Sequence, residues 1–305
     1  MMEPAEKAVE EAGEYRSNRE RKTVFSFEIN GVGSMNIKTL KEDDTSIHLL
    51  IKGTNAAFMN TLRRIILTEV PTMAIDEVVV IENSSVLRDE FVAHRIGLMP
   101  LKTDLDTYNL PEACNCGSEF GCNLCRVSLA LESESGDHTI TVYSGDFKSD
   151  NPSVVPVSNR IPITKLAPEQ KVKLEAYARL GKGKDHARWQ PVAVCTYRYL
   201  PIIKINGKSC DLCEKCIKVC PRKVLRKTGD EIIIHNIEDC SLCQDCVDAC
   251  EKTPNAIEVT WDDESYTFNL ESTEALKPRR ILQEALNILD EKLNNLLEQL
   301  KGVQE

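Results

Sequence analysis

Eight of the chain's thirteen cysteines stand in two runs of identical spacing. Cys210, Cys213, Cys216 and Cys220 read C-x2-C-x2-C-x3-C, and Cys240, Cys243, Cys246 and Cys250 repeat it. That spacing suits cubane iron–sulfur clusters. Three thiolates from one tight loop reach three iron corners of a cube, while the fourth, on the following helical turn, points toward the other cube. The pattern therefore assigns Cys210, Cys213, Cys216 and Cys250 to one 4Fe–4S cluster, and Cys240, Cys243, Cys246 and Cys220 to a second. Pro221 follows the first run as the motif expects. Glu251 takes that place in the second run and Pro254 comes three residues later, so the turn after Cys250 is expected to differ. A pair of zinc sites is the alternative, but zinc usually takes two CxxC knuckles per ion, which fits the three-plus-one grouping less well.

A further set, Cys114, Cys116, Cys122 and Cys125, lies within the loop PEACNCGSEFGCNLCRV. Four thiolates this close, with Gly117 and Gly121 easing the turns, predict a closed tetrahedral zinc site. Free thiols or disulfides are the alternative reading. Cys195, alone in VAVCTYRY, reads as a small buried core residue. Other chemistry is missing from the text. GKGK at 181–184 lacks the upstream glycine spacing and the Ser or Thr of a phosphate-binding loop. The histidines (His48, His94, His138, His186 and His235) are scattered, and none pairs at metal-binding helical spacing. Nothing sets a nucleophile beside a base.

The elements that must position these residues are legible in outline. At 305 residues the chain can bury a large core, so it has no need of covalent staples. Its opening, MMEPAEKAVEEAGEYRSNRERK, has no apolar stretch and no cleavage site, which points to a reducing, cytoplasmic setting where clustered cysteines hold metals. No apolar run approaches the roughly 20 residues of a membrane-spanning helix. A formal net charge of −10 argues against wrapping nucleic acid with this chain's own surface, so any such role is indirect.

Residues 1–21 are mostly charged or small and read as a mobile extension. VFSFEI (24–29) alternates, and SIHLLIKG (46–53) is a second strand-like run. Thr54 can cap a helix with Phe58, Leu62, Ile65 and Ile66 on one face, stopped at Val70–Pro71. Residues 79–203 are strand-rich and broken by turn residues, residues 204–256 carry the paired cysteine runs, and FNLES (268–272) returns to strand. A long helix closes the chain, with Pro278 in its first turn and Gly302 at its end. Leu282, Leu286, Leu289, Leu293, Leu296 and Leu300 step by four and three along it, a seam that could face a partner or lie on the chain's own sheet.

Two functions from different classes follow. Paired cubes suggest a ferredoxin-type electron-transfer subunit of an oxidoreductase; a scaffold that has acquired such a module is the other. The remaining sequence favours the scaffold. NTLRRIILTEVPTMAIDEV (60–78) and NSSVLRDEFVAHRIGLMPL (83–101) resemble the shared signature of the α-like assembly subunits of cellular RNA polymerases. LGKGKDHARWQPV (180–192) resembles a loop of their archaeal and eukaryotic members, and FNLESTEALKPRRILQEAL (268–286) resembles the start of their dimerisation helix. From residue 23 onward the chain is similar to the archaeal, iron–sulfur-bearing branch of that family. The resemblance implies an α+β fold: a discontinuous dimerisation domain (22–78 plus 257–305), an inserted β-rich domain (79–203) and an inserted ferredoxin-like two-cluster domain (204–256). It also implies pairing with subunit L, then recruitment of a small zinc-bearing subunit and the second-largest catalytic subunit, with no catalytic magnesium held by this chain.

Overall fold

The computed structural model describes residues 24–29, 32–118 and 121–302; the extension at 1–21 lies outside them. Two sheets organise a mixed, sheet-rich α and β fold. The first has five strands: β1 (Val24–Ile29), β2 (Val32–Glu42), β3 (Ser46–Lys52), β13 (Ile257–Ser272) and β10 (Val192–Ile205), in that spatial order. All of its pairings are antiparallel. Along β3 the apolar residues alternate, so Ile47, Leu49 and Ile51 all point into the core while His48 and Leu50 do not.

Two helices cover that core. The first, α1 (Ala56–Thr68), starts one residue later than the sequence suggests: Asn55, not Thr54, is the cap, its Oδ1 accepting the Phe58 amide at 2.9 Å. Met59, Leu62, Ile65 and Ile66 are its buried residues, and Phe58 is only partly covered, so the apolar face is rotated slightly from the one expected. The closing helix, α5, runs Pro278–Gly302. Its Ile281 and Ala285 meet Leu62 and Ile66 of α1 together with Tyr266, Phe268 and Leu270 of β13 in one cluster.

The second sheet has the order β4 (Pro71–Asn83), β9 (Lys171–Lys182), β5 (Arg126–Glu134) and β7 (Lys148–Ser149). A short pair, β6 (Ile140–Tyr143) with β8 (Pro162–Leu166), completes that half. Its separate core joins Met73 and Ile75 to Leu129, Leu131, Leu174 and Ala176, and to Val92 and Ile96 of α2 (Asp89–Gly97). Sheet membership changes at Val70–Pro71 and again at Val192. Those positions differ from the expected changes after 78 and after 203, because β4 pairs with β9 and β10 pairs with β13.

A tight turn at 181–190 joins the halves. Lys184 N donates to the Thr68 carbonyl at 3.0 Å, and Glu69, the residue closing α1, gathers Lys182 at 3.7 Å, Lys184 at 3.9 Å and Lys292 of α5 at 2.9 Å. Trp189 is buried on the far side of this turn, its indole donating to the Arg179 carbonyl at 3.2 Å and its own carbonyl accepting from Thr72 Oγ1 at 2.8 Å. GKGK is thus a structural elbow rather than a ligand loop.

Candidate metal centres and pairing face

Cys114 to Cys125 lie in the loop before β5. Among the described residues their four sulfurs all fall within 4.8 Å of one another. Four thiolates held tetrahedrally at about 2.3 Å from a zinc ion stand about 3.8 Å apart. Cys114 Sγ and Cys122 Sγ are 3.7 Å apart, and Cys122 Sγ and Cys125 Sγ 3.8 Å, so the donor set fits that ion. Gly121 has φ of +79°, and a Cβ there would lie 3.1 Å from Cys125 Sγ, which explains the glycine. The amide of Ser118 holds the Cys116 thiol below its usual range, while burial raises Cys125; the amide of Cys116 lowers Cys114, but its hydrogen bonds to neighbouring thiols leave it at about 12. Sulfurs this crowded retain protons unless a cation compensates the charge.

The eight remaining paired cysteines surround two cavities of similar size beyond the ends of β10 and β13. One, of about 380 Å³, is lined by Cys210, Cys213, Cys216 and Cys250. The other, of about 360 Å³, is lined by Cys220, Cys240, Cys243 and Cys246. Cys250 thus lines the same cavity as Cys210, Cys213 and Cys216, and Cys220 the same one as Cys240, Cys243 and Cys246. Two one-turn helices carry the buried cysteines: α3 (Lys215–Val219) holds Cys216 and α4 (Asp245–Asp248) holds Cys246. Before each, the backbone turns left-handed twice, at Leu212 (φ 59°) and Glu214 (62°), and again at Leu242 (58°) and Gln244 (68°). Leucine rarely adopts that conformation, and it recurs at equivalent positions of the two loops.

The surrounding module has a small apolar core, with Ile205, Ile217, Ile232, Ile237, Leu242 and Val247 partly buried around it. Its core consists of Ile203, Val224, Leu225, Ile257 and Val259 with Cys216 and Cys246 among them, capped by the hairpin β11 (Leu225–Thr228) and β12 (Glu231–Ile234). Burial raises the Cys216 thiol. It pushes Cys246 up to about 11, where Cys240, Cys220 and Cys243 add repulsion. A metal cluster would reverse that cost and tie the loops together.

The third feature is a face. Beyond Leu289 α5 leaves its own core; Leu293, Leu296 and Leu300, and Leu286 before them, are 47–55% exposed in this chain. Leu282 and Leu289 are partly buried against the chain's own core, so part of the leucine seam is covered within this chain and part is left exposed. Beside it, Arg63 is committed to this chain, since its Nε donates to the Cys195 carbonyl at 2.9 Å. Cys195 is buried as expected, its thiol pushed up to about 11 by burial. His186 caps a turn, its Nδ1 accepting the Arg188 amide at 3.1 Å, a role its isolated position in the sequence does not reveal. No described helix is long and apolar enough to cross a membrane.

A sheet backed by two helices, one of them carrying an exposed apolar seam, is the arrangement of a chain that pairs with another protein. Comparison with known proteins agrees. The RNA polymerase Rpb3/Rpb11 dimerisation domain matches residues 48–293. The chain is 42% identical over 265 residues to the DNA-directed RNA polymerase subunit Rpo3 of Methanosphaera stadtmanae, spanning 86% of this chain and 97% of that one. It is 42% identical over 268 residues to Rpo3 of Archaeoglobus fulgidus (87% and 98%) and 38% over 271 residues to that of Methanothermobacter thermautotrophicus (88% and 100%). The chain belongs to the RNA polymerase Rpb3/Rpb11 dimerisation-domain family.

Proposed function

We propose that this chain is a non-catalytic assembly subunit of DNA-dependent RNA polymerase, which pairs through α1 and the exposed seam of α5 with an Rpb11- or L-like partner in the cytoplasm. The observation that carries this reading is the unpartnered leucine row on a helix whose first turns are anchored in the chain's own core. A seam of that kind is covered in an obligate pair, where interfaces resemble a core cut in half. The pairing unit comprises β1–β3, α1, β10, β13 and α5; the β-rich half and the cysteine module are appended to it. The heterodimer then recruits a small zinc-bearing subunit and the second-largest catalytic subunit, and meets nucleic acid only through them.

In the same reading Cys210, Cys213, Cys216 and Cys250 hold one 4Fe–4S cluster and Cys240, Cys243, Cys246 and Cys220 a second, while Cys114, Cys116, Cys122 and Cys125 hold zinc. The paired quartets around two equal cavities support the clusters, and the sulfur spacing supports the ion. An electron-carrier role would account for residues 204–256 and leave the pairing sheet and its helices without a purpose. The deciding experiment co-expresses the chain with an L-like partner and replaces Leu286→Glu and Leu293→Glu together. The pair should form with the unaltered chain and be lost with the double variant; an intact heterodimer in the variant would reject the assigned face.

A further inference from the structure

The two cysteine runs align position for position at an offset of 30 residues, so each site is a control for the other. At the first, the residues after the crossing ligand Cys250 are clasped onto the opposite loop. Lys252 Nζ lies 2.8 Å from Asp211 Oδ2, and Glu251 is ion-paired with Lys215. Asp211 and Lys252 line the same cavity as the four cysteines. The Ala256 amide also donates to Cys250 Sγ at 3.3 Å.

At the second site three of those four charges are lost or reversed, and only the positive charge of Lys252 is kept. Asp211 corresponds to Ser241, Lys252 to Arg222, Lys215 to Asp245 and Glu251 to Pro221. Ser241 and Arg222 do line the second cavity, but serine carries no charge to pair with the guanidinium. Opposite Asp245, proline offers nothing. Burial does not separate the sites: Cys216 and Cys246 are equally buried, and Cys213 and Cys243 are both exposed.

We infer that the two cluster sites are unequal, the clasped first site retaining its cluster and the unclasped second site opening and losing its cluster first. The inference rests on the two-cluster reading above. Release requires the segment carrying the crossing cysteine to swing off the opposite loop. At the first site that motion breaks two ion pairs; at the second, among the described residues, it breaks none. Exposed pairs are individually weak, and two of them slow opening by about three- to tenfold.

The test uses the full chain, purified anaerobically with its partner and challenged with EDTA while visible cluster absorption and released iron are followed. The expected course has two phases, each releasing half the iron and separated by about three- to tenfold in rate. Glu251→Gln with Lys252→Gln should bring the slow phase up to the fast one. Ser241→Asp, which sets a carboxylate opposite Arg222, should slow the fast phase alone. Cys220→Ser, which removes a ligand of the second site, should leave only the slow phase, and added salt should narrow the gap. A single phase releasing all the iron, or two phases indifferent to these substitutions, would overturn the unequal sites and leave two clusters standing. Protein without iron and sulfide would instead overturn the two-cluster reading itself.

Discussion

The elbow at 181–190 gives a perturbation whose size can be worked from distances. A Cβ added at Gly183 would lie 2.1 Å from the carbonyl oxygen of Leu67 and 3.1 Å from Cγ of Gln190. The side chain of Gln190 can move, but the Leu67 carbonyl belongs to α1 and is followed directly by the Thr68 carbonyl that accepts the Lys184 amide. Relief therefore means shifting the elbow off the helix. Overpacking of this kind costs about 1–3 kcal/mol. Loss of glycine's freedom in the unfolded chain returns about 0.4–1 kcal/mol, since no left-handed φ is required here. A net loss of about 1–2 kcal/mol should lower the midpoint of thermal unfolding of Gly183→Ala by roughly 2–8 °C, at about 2–4 °C per kcal/mol. Calorimetry at a fixed scan rate measures this. An unchanged or raised midpoint would show that the elbow yields freely and would refute its role as a fixed joint.

Glu69 offers a pH signature. Burial raises its carboxyl, but the hydrogen bond from Lys292 and the charges of Lys292, Lys184 and Lys182 outweigh that and hold it below its ordinary 4.5. A depressed folded-state value gives stability that is present above the unfolded value and is lost as pH falls through the folded one. Glu69→Gln should thus unfold earlier than the parent in urea at pH 7 and match it once both are well below pH 4.5; an equal gap at both would count against the ion cluster. Cys122→Ser should release one zinc per chain and leave iron content unchanged, read by elemental analysis. Replacing Cys213 and Cys243 by serine should reduce bound iron while the heterodimer still elutes intact in gel filtration, because α1 and α5 pack in a separate core.

The grouping of the cysteines is the most legible part of this sequence, since spacing is a local property and thiols in one loop need no tertiary information to be grouped. Cys220 and Cys250 each line the cavity of the other run, which agrees with where a short helical turn points the fourth sulfur. Long-range pairing is not. Nothing local in VAVCTYRY says that β10 joins β13 rather than β9, so a boundary drawn from composition falls after 203 while the sheet changes at Val192. The helix α2 escapes the pattern because DEFVAHRIG has a weak apolar period and leaves Phe91 exposed; it owes its place to Val92 and Ile96 meeting the second core. The one-residue shift at the cap of α1 reflects two adjacent residues, Thr54 and Asn55, each chemically able to cap. GKGK lacks the marks of a phosphate loop, yet its purpose lies in Leu67 and Glu69, more than a hundred residues away.

The ladder between β10 and β13 runs without a break from Val192 opposite Ser272 to Ile205 opposite Ile257, apart from irregularities near Val194 and Leu200. Ile205 and Ile257 already face one another, so residues 206–256, cysteines included, amount to an oversized hairpin loop. A two-residue Asn-Gly turn could close the same ladder. The cysteine-bearing segment is thus excisable and portable: a lineage could lose it, or another antiparallel sheet could receive it, without altering a strand pairing outside residues 206–256.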